Sequence, residues 1–200
     1  SDPERPEEVI FHFRNQYRHW EPTWGFSLPH KIRTKIDPNA TYHVKIESSF
    51  DHNTPMVQAD YIHQGASKNL FLFVGHFDHP SQVNDGLAGC IAAFETVKRL
   101  KAKKTKFSYG ALASVEIVGS AFYLEDIRKE FDITETLFMG FSGISSDLVY
   151  QSSFEKSGII DQAVPHLLTA YNGMKPQVYG HRELIGNDEN VFDSLGYAIP

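Results

Sequence analysis

Three side chains able to hold a metal ion, His76, Asp78 and His79, lie within one tetrapeptide, and Asp85 follows them before the next helix is due. Imidazole nitrogen and carboxylate oxygen are the ligands a catalytic Zn²⁺ takes when one position must stay open for water. This loop therefore reads as a metal site. A plainer role exists for Asn84 or Asp85, either of which could cap the following helix by accepting from an orphan backbone N–H. That role explains one residue of the set and leaves the others unexplained. Further along, Glu116 sits where a strand gives way to a glycine-containing turn. A carboxylate there could bind metal, could act as the base that deprotonates a metal-bound water, or could simply favour the helix dipole. The third piece is Asn187-Asp188-Glu189, an acidic pair opening a helix, in which Asp188 serves either the site or the cap.

The elements around these residues follow from periodicity. Asn69 to Val74 is an apolar run of strand length suited to burial on both faces of a parallel sheet. Leu87, Ile91, Phe94, Val97 and Leu100 recur at helical spacing, which predicts a helix from Gly86 to Leu100. The loop between them then lies at the carboxyl end of a strand, the edge where open α/β sheets collect ligands. Other expected strands are Phe107 to Val115, Glu135 to Phe141 and a short one at Asp147 to Gln151. Other expected helices run from Glu7 to Trp20, Ala121 to Lys129, Ile159 to Tyr171 and onward from Asn187. Thr41 to Ser48 and Met56 to His63 alternate polar and apolar residues about a turn-rich link, which predicts an antiparallel pair. Alternation of strand and helix from residue 69 onward makes the fold class α/β, a mixed and mostly parallel sheet flanked by helices. The aromatic loop Trp20 to Phe26 could wall a substrate pocket or be stapled to the core.

The chain has 200 residues, 41% of them hydrophobic, which suits a single domain. Its formal charge of −6 and isoelectric point near 5.9 disfavour nucleic acid as a partner. The basic run Lys98 to Lys106 reads as a solvated helix end. With Cys90 the lone cysteine, an internal disulfide is excluded and a reducing, cytoplasmic compartment is expected, with Cys90 as a small buried residue. No apolar stretch reaches the ~20 residues that a membrane span requires. The acidic first residues are unlike a signal peptide. Absence of an initiator methionine, and the stop at Ile199-Pro200, lead us to expect a longer polypeptide, incomplete here at the C-terminal end.

His-x-Asp after a strand, Asn-Asp-Gly-x-x-Gly opening the next helix, Glu before Gly-Ser-x-x-Tyr, and Asn-Asp-x-x-x-Phe-x-x-x-Gly-x-x-x-Pro occur in that order. Together they resemble the zinc-dependent exopeptidase superfamily of bacterial aminopeptidases, glutamate carboxypeptidases and glutaminyl cyclases. Tyr17-Arg18, Trp24 to Pro29, His79-Pro80 and Gly158 to Val164 extend the resemblance to an aminopeptidase-like branch associated with bacterial polysaccharide biosynthesis. The resemblance implies a phosphorylase/hydrolase-like aminopeptidase architecture with one or two zinc ions. It makes His76 a metal ligand with Asp78 fixing its ring, Asp85 the carboxylate that bridges two metals or serves one, Glu116 base or ligand, and Asp188 a group near the catalytic carboxylate. Asn187 and Glu189 are accessory candidates. For His79 two roles stay open, a replacement ligand or a structural bond that holds the loop closed; Pro80 restricts its backbone to extended forms and favours the second.

The chain departs from that family in carrying one glutamate, Glu116, where two adjacent ones are usual, and in having no carboxylate in Leu137 to Ser142. The last ligand histidine is expected beyond Pro200. Three functional readings follow. The leading one is a metal-dependent hydrolase of an amide or peptide bond, with Glu116 activating water on a small peptide, an amino-acid derivative or an acylated amino sugar. The others are an inactive binding or scaffold module, and a single-zinc acyl transferase or cyclase. A homo-oligomer is compatible with each.

Overall fold

The computed structural model describes residues 1–10, 20, 25–79, 83–143, 148–172 and 177–200. Two compact units divide the chain, residues 1–51 and 52–200. Among the described residues of the first, the regular element is a short helix, α1 (His30–Arg33). Thr41 to Ser48 forms no strand. Its alternating apolar residues Tyr42, Val44 and Ile46 are all more than half exposed, so the period-two pattern has no buried face to satisfy. The expected antiparallel pair with Met56 to His63 is thereby corrected. Residues 8–10 are not helical, and residues 11–19 of the first expected helix lie outside the described residues, as does most of the aromatic loop.

In the second unit, β1 (Ala59–His63), β2 (Asn69–His76), β3 (Ser108–Ser114) and β4 (Asp132–Phe138) form a sheet in the order β1-β3-β2-β4. β2 is parallel to both β3 and β4, and β1 is the antiparallel edge strand on β3, with Ala59 opposite Ala113 and His63 opposite Tyr109. The outer edge of β4 is occupied as well. Its Thr136 and Phe138 N–H groups donate to the carbonyls of Ala198 and Pro200, at 3.3 and 3.0 Å.

Helices cover both faces of this sheet. α2 (Gly89–Lys98) buries Ala93 and Val97 against Ala111, with Tyr61, Phe73 and Tyr109 around them. On the opposite face, Leu124 and Ile127 of α3 (Val118–Ile127) and Phe192 of α5 (Glu189–Ser194) close over Leu70, Leu72, Val74 and Leu112. α4 (Ile159–Asn172) lies between β5 (Val149–Gln151) and β6 (Gln177–Tyr179), which pair in parallel. At three residues, β6 was too short for a periodic pattern to reveal. No helix among the described residues is long and apolar enough to cross a membrane.

Leu70, Leu72 and Val74 are essentially fully buried, each contributing roughly 1.5–3 kcal/mol of transfer free energy, which fixes the register of β2. His76 continues that row at the same two-residue period, so the core that locks the strand also aims the imidazole. A slip of one residue would turn it to the other face.

The helix expected from Gly86 begins regularly only at Gly89, because Asn84–Ala88 forms a π-type turn in which Gly86 takes φ 111°. A side chain at Gly86 would strain that turn. At Gly89 the constraint is one of space, since an added Cβ would sit 1.6 Å from the Met139 carbonyl oxygen. Gly89→Ala is therefore expected to destabilise the protein by about 3 kcal/mol or more, because rigid backbone must move. Urea unfolding measures this, and a change below about 1 kcal/mol would show that the helix and the β4 end are not packed so closely.

Candidate metal centre

β2 and β3 end side by side, with His76 opposite Ser114, and the chain beyond each carries the functional groups. His76 is 1% exposed and lies between two carboxylates: its Nδ1 is 3.1 Å from Asp78 Oδ1 and its Nε2 is 3.1 Å from Asp85 Oδ1. The second oxygen of Asp85 lies 3.4 Å from His79 Nε2, and the two imidazole rings are 5.2 Å apart. Ligand atoms of His76, Asp78 and His79 all fall within 4.8 Å of one another. Asp85 and Asn84 do not act as caps. Asn84 Oδ1 instead accepts from the Gly143 N–H at 2.6 Å, which ties the loop to the segment after β4.

The second oxygen of Asp78 accepts the Glu116 backbone N–H at 2.9 Å. Glu116 thus lies on the same sheet edge as His76, and its carboxylate accepts from Asn187 Nδ2. Asp188, fully buried at the N-cap position of α5, makes no capping bond; its Oδ1 accepts the Ile117 N–H at 3.0 Å. Burial pushes the Asp188 pKa upward and the Glu116 charge adds to this, while the Ser120 hydroxyl, the Ile117 N–H and His76 oppose it. Glu189 is 2% exposed, and burial raises its pKa too.

Several members of the site carried no spacing signal. Phe138 at the end of β4 stacks on the His76 ring, with centroids 6.0 Å apart and an interplanar angle of 11°. Cys90 is buried, as read from the sequence, and its thiol donates to the His76 carbonyl at 3.3 Å. Desolvation pushes that thiol to about 11, which keeps it protonated and unreactive. Ile117 has φ 63° and ψ −62°, and Val118 N–H closes a γ-turn onto the Glu116 carbonyl at 2.6 Å. For a β-branched residue this conformation is strained by roughly 1–3 kcal/mol. It is held by Asp78 and Asp188, whose carboxylates accept from the successive N–H groups of Glu116 and Ile117.

The donor set suits a divalent ion. Around a tetrahedral Zn²⁺ with ligand bonds near 2.0–2.2 Å, neighbouring ligand atoms stand about 3.3–3.6 Å apart. The His76–Asp85 and His79–Asp85 separations of 3.1 and 3.4 Å are close to that spacing. Asp78 on the far nitrogen of His76 is the acceptor a ligating histidine usually has.

The domain of unknown function DUF4910 matches residues 23–200. The chain belongs to this family. A Clostridium acetobutylicum protein provisionally named as a polysaccharide biosynthesis protein with an aminopeptidase-like domain is 32% identical over 188 residues, covering 91% of this chain and 41% of that protein. A crystal structure from the same organism, of a protein provisionally called a peptidase, superposes with a TM-score of 0.74 over 99% of this chain and 46% of that one, at 24% identity. At that identity the likeness is one of fold, and it agrees with the mixed, mostly parallel sheet read from the sequence. The chain spans less than half the length of these relatives.

The γ-turn gives a direct test. Ile117 is 43% exposed, so glycine there loses little packing and gains an allowed conformation, offset by about 0.5–1 kcal/mol of unfolded-state entropy. Ile117→Gly is expected to be neutral or stabilising by up to about 1 kcal/mol in urea unfolding. A loss of about 2 kcal/mol or more would show that the turn stores no strain.

Proposed function

We propose that this DUF4910 chain is the peptidase-like part of a metal-dependent amide hydrolase. The observation that carries the reading is the buried His76 imidazole, set between Asp78 and Asp85 with His79 beside them. His76 and Asp85 would hold the ion, with His79 in reach as a further ligand and Asp78 fixing the tautomer of His76. A divalent ion there, zinc by its donors, would polarise an amide carbonyl and bring the pKa of water toward ~7. The remaining roles belong to the chain's own side chains. Glu116, anchored through its backbone by Asp78 and through its carboxylate by Asn187, takes the proton from the attacking water and returns it to the leaving nitrogen. Asp188 holds the turn that presents Glu116. Substrates of fitting chemistry are small peptides, amino-acid amides and acylated amino sugars; the last class accords with the name of the relative.

A second reading, a binding module without turnover, is favoured by the pairing of Glu116 with Asn187, which engages the one carboxylate available as base. Metal content and turnover of the full-length protein and its variants separate the two. His76→Ala is expected to abolish stoichiometric metal binding, and Asp78→Asn to weaken it by about 10–100-fold. Glu116→Gln is expected to retain the metal and lose turnover by about 100-fold or more. Equal metal content in parent and His76→Ala would refute the ligand assignment. Full metal binding with no amidase activity in the parent would favour the binding module.

A further inference from the structure

Asp85 stands where no regular element fixes the chain. Its backbone, at φ −80° and ψ 91°, is non-helical within the π-type turn Asn84–Ala88, and the next residue, Gly86, has φ 111°. Its side chain is 37% exposed, so packing does little to aim it. His76, by contrast, is buried at the end of a strand whose register the core fixes. For the two to meet at 3.1 Å, the turn has to be held against β2. One bond within the turn, from the Ala88 N–H to the Val83 carbonyl at 3.1 Å, closes it but does not place it. The bond that leaves the turn is made by Asn84, whose Oδ1 accepts the Gly143 N–H across 59 residues of sequence. Gly143 follows β4, and in the same segment the Met139 N–H donates to the Val74 carbonyl of β2 at 2.8 Å. A continuous path therefore runs from Val74, two residues before His76, through residues 139–143 and the Asn84 amide to Asp85. Gly143 is fitted to this path, because a Cβ there would lie 2.9 Å from Ala88 Cβ and 3.0 Å from Asn84 Oδ1. Any side chain at that position pushes the segment away from the turn.

We propose that Asn84 is a positioning residue for the metal, its amide oxygen holding Asp85 at the distance from His76 at which one divalent ion is bound by both. Without the Gly143 bond the turn carrying Asp85 is free to move, and ordering it when the ion arrives costs conformational entropy. The cost appears as lost metal affinity, as it does when other groups that orient ligands are removed. This step rests on the metal site of the hydrolase reading and does not require turnover.

The test is the zinc affinity of the full-length protein, read by competition with a chromogenic chelator, with circular dichroism to confirm that each variant is folded. Asn84→Leu, close in size but without the acceptor, is expected to lower the affinity by about tenfold or more. Asn84→Asp keeps an acceptor for the Gly143 N–H and is expected to bind zinc at least as tightly as the parent. Gly143→Ala leaves the Asn84 side chain intact and attacks the same bond from its other end, so it is expected to lower the affinity by a similar factor and serves if Asn84→Leu does not fold. The double variant Asn84→Leu/Gly143→Ala is expected to bind no more weakly than the weaker single one, because both lose one shared contact. Zinc binding that depends on His76 but is unchanged in Asn84→Leu and Gly143→Ala would overturn the tether and leave the metal site standing. Losses that multiply in the double variant, or an Asn84→Asp protein as weak as Asn84→Leu, would overturn it too. A parent whose zinc binding is the same as that of His76→Ala would overturn the metal site itself, and the role of Asn84 with it.

Discussion

The two oxygens of Asp78 hold the functional edge together. Parallel pairing of β2 with β3 ends at His76 and Ser114, followed by a last backbone bond from Phe77 to the Ser114 carbonyl. Beyond that point the chains part, one toward α2 and the other toward α3. Asp78 continues the connection with a side chain, one oxygen on the His76 ring and the other on the Glu116 N–H. Hydrogen bonds to a charged group are worth roughly 1.5–3 kcal/mol each. That is comparable to the strain of the Ile117 turn, so Asp78 and Asp188 together can hold a conformation which the local sequence disfavours.

Much of this arrangement was legible because it rests on local patterns. The apolar run of β2 and the 3.6-residue period of α2 placed the loop between them on a sheet edge, and the structure has both elements there. Thr41 to Ser48 shows where pattern fails. Alternation states only that a strand could bury one face, and residues 41–48 have no face buried, while Ala59 to His63 pairs with β3 instead. The start of α2 was misplaced by three residues because Gly86 looks like a helix opener in sequence and is a φ-positive corner in space. Phe138 and Asn187 reach the site through β4 and the chain before α5, far from His76 in sequence, and only the topology brings them to it.

Buried polar groups concentrate where the local rules are broken. Asp188 and Glu189 are consecutive and both buried; burial disfavours ionisation of each, and the Asp188 charge adds to this at Glu189. Asp188 is tied to the turn beside Glu116, whereas the Glu189 carboxylate is held by the backbone N–H groups of Asn187 and of Glu189 itself. Departures of this kind from core-like composition are expected at functional positions and seldom elsewhere.

The account depends most on a cation being held by His76 and Asp85. Anomalous diffraction at the zinc edge, from crystals of the full-length protein grown with zinc, locates such an ion directly. The account predicts one peak within about 2.0–2.2 Å of both His76 Nε2 and an Asp85 oxygen. A map with no peak there, and with His76 Nε2 still hydrogen-bonded to Asp85, would contradict it.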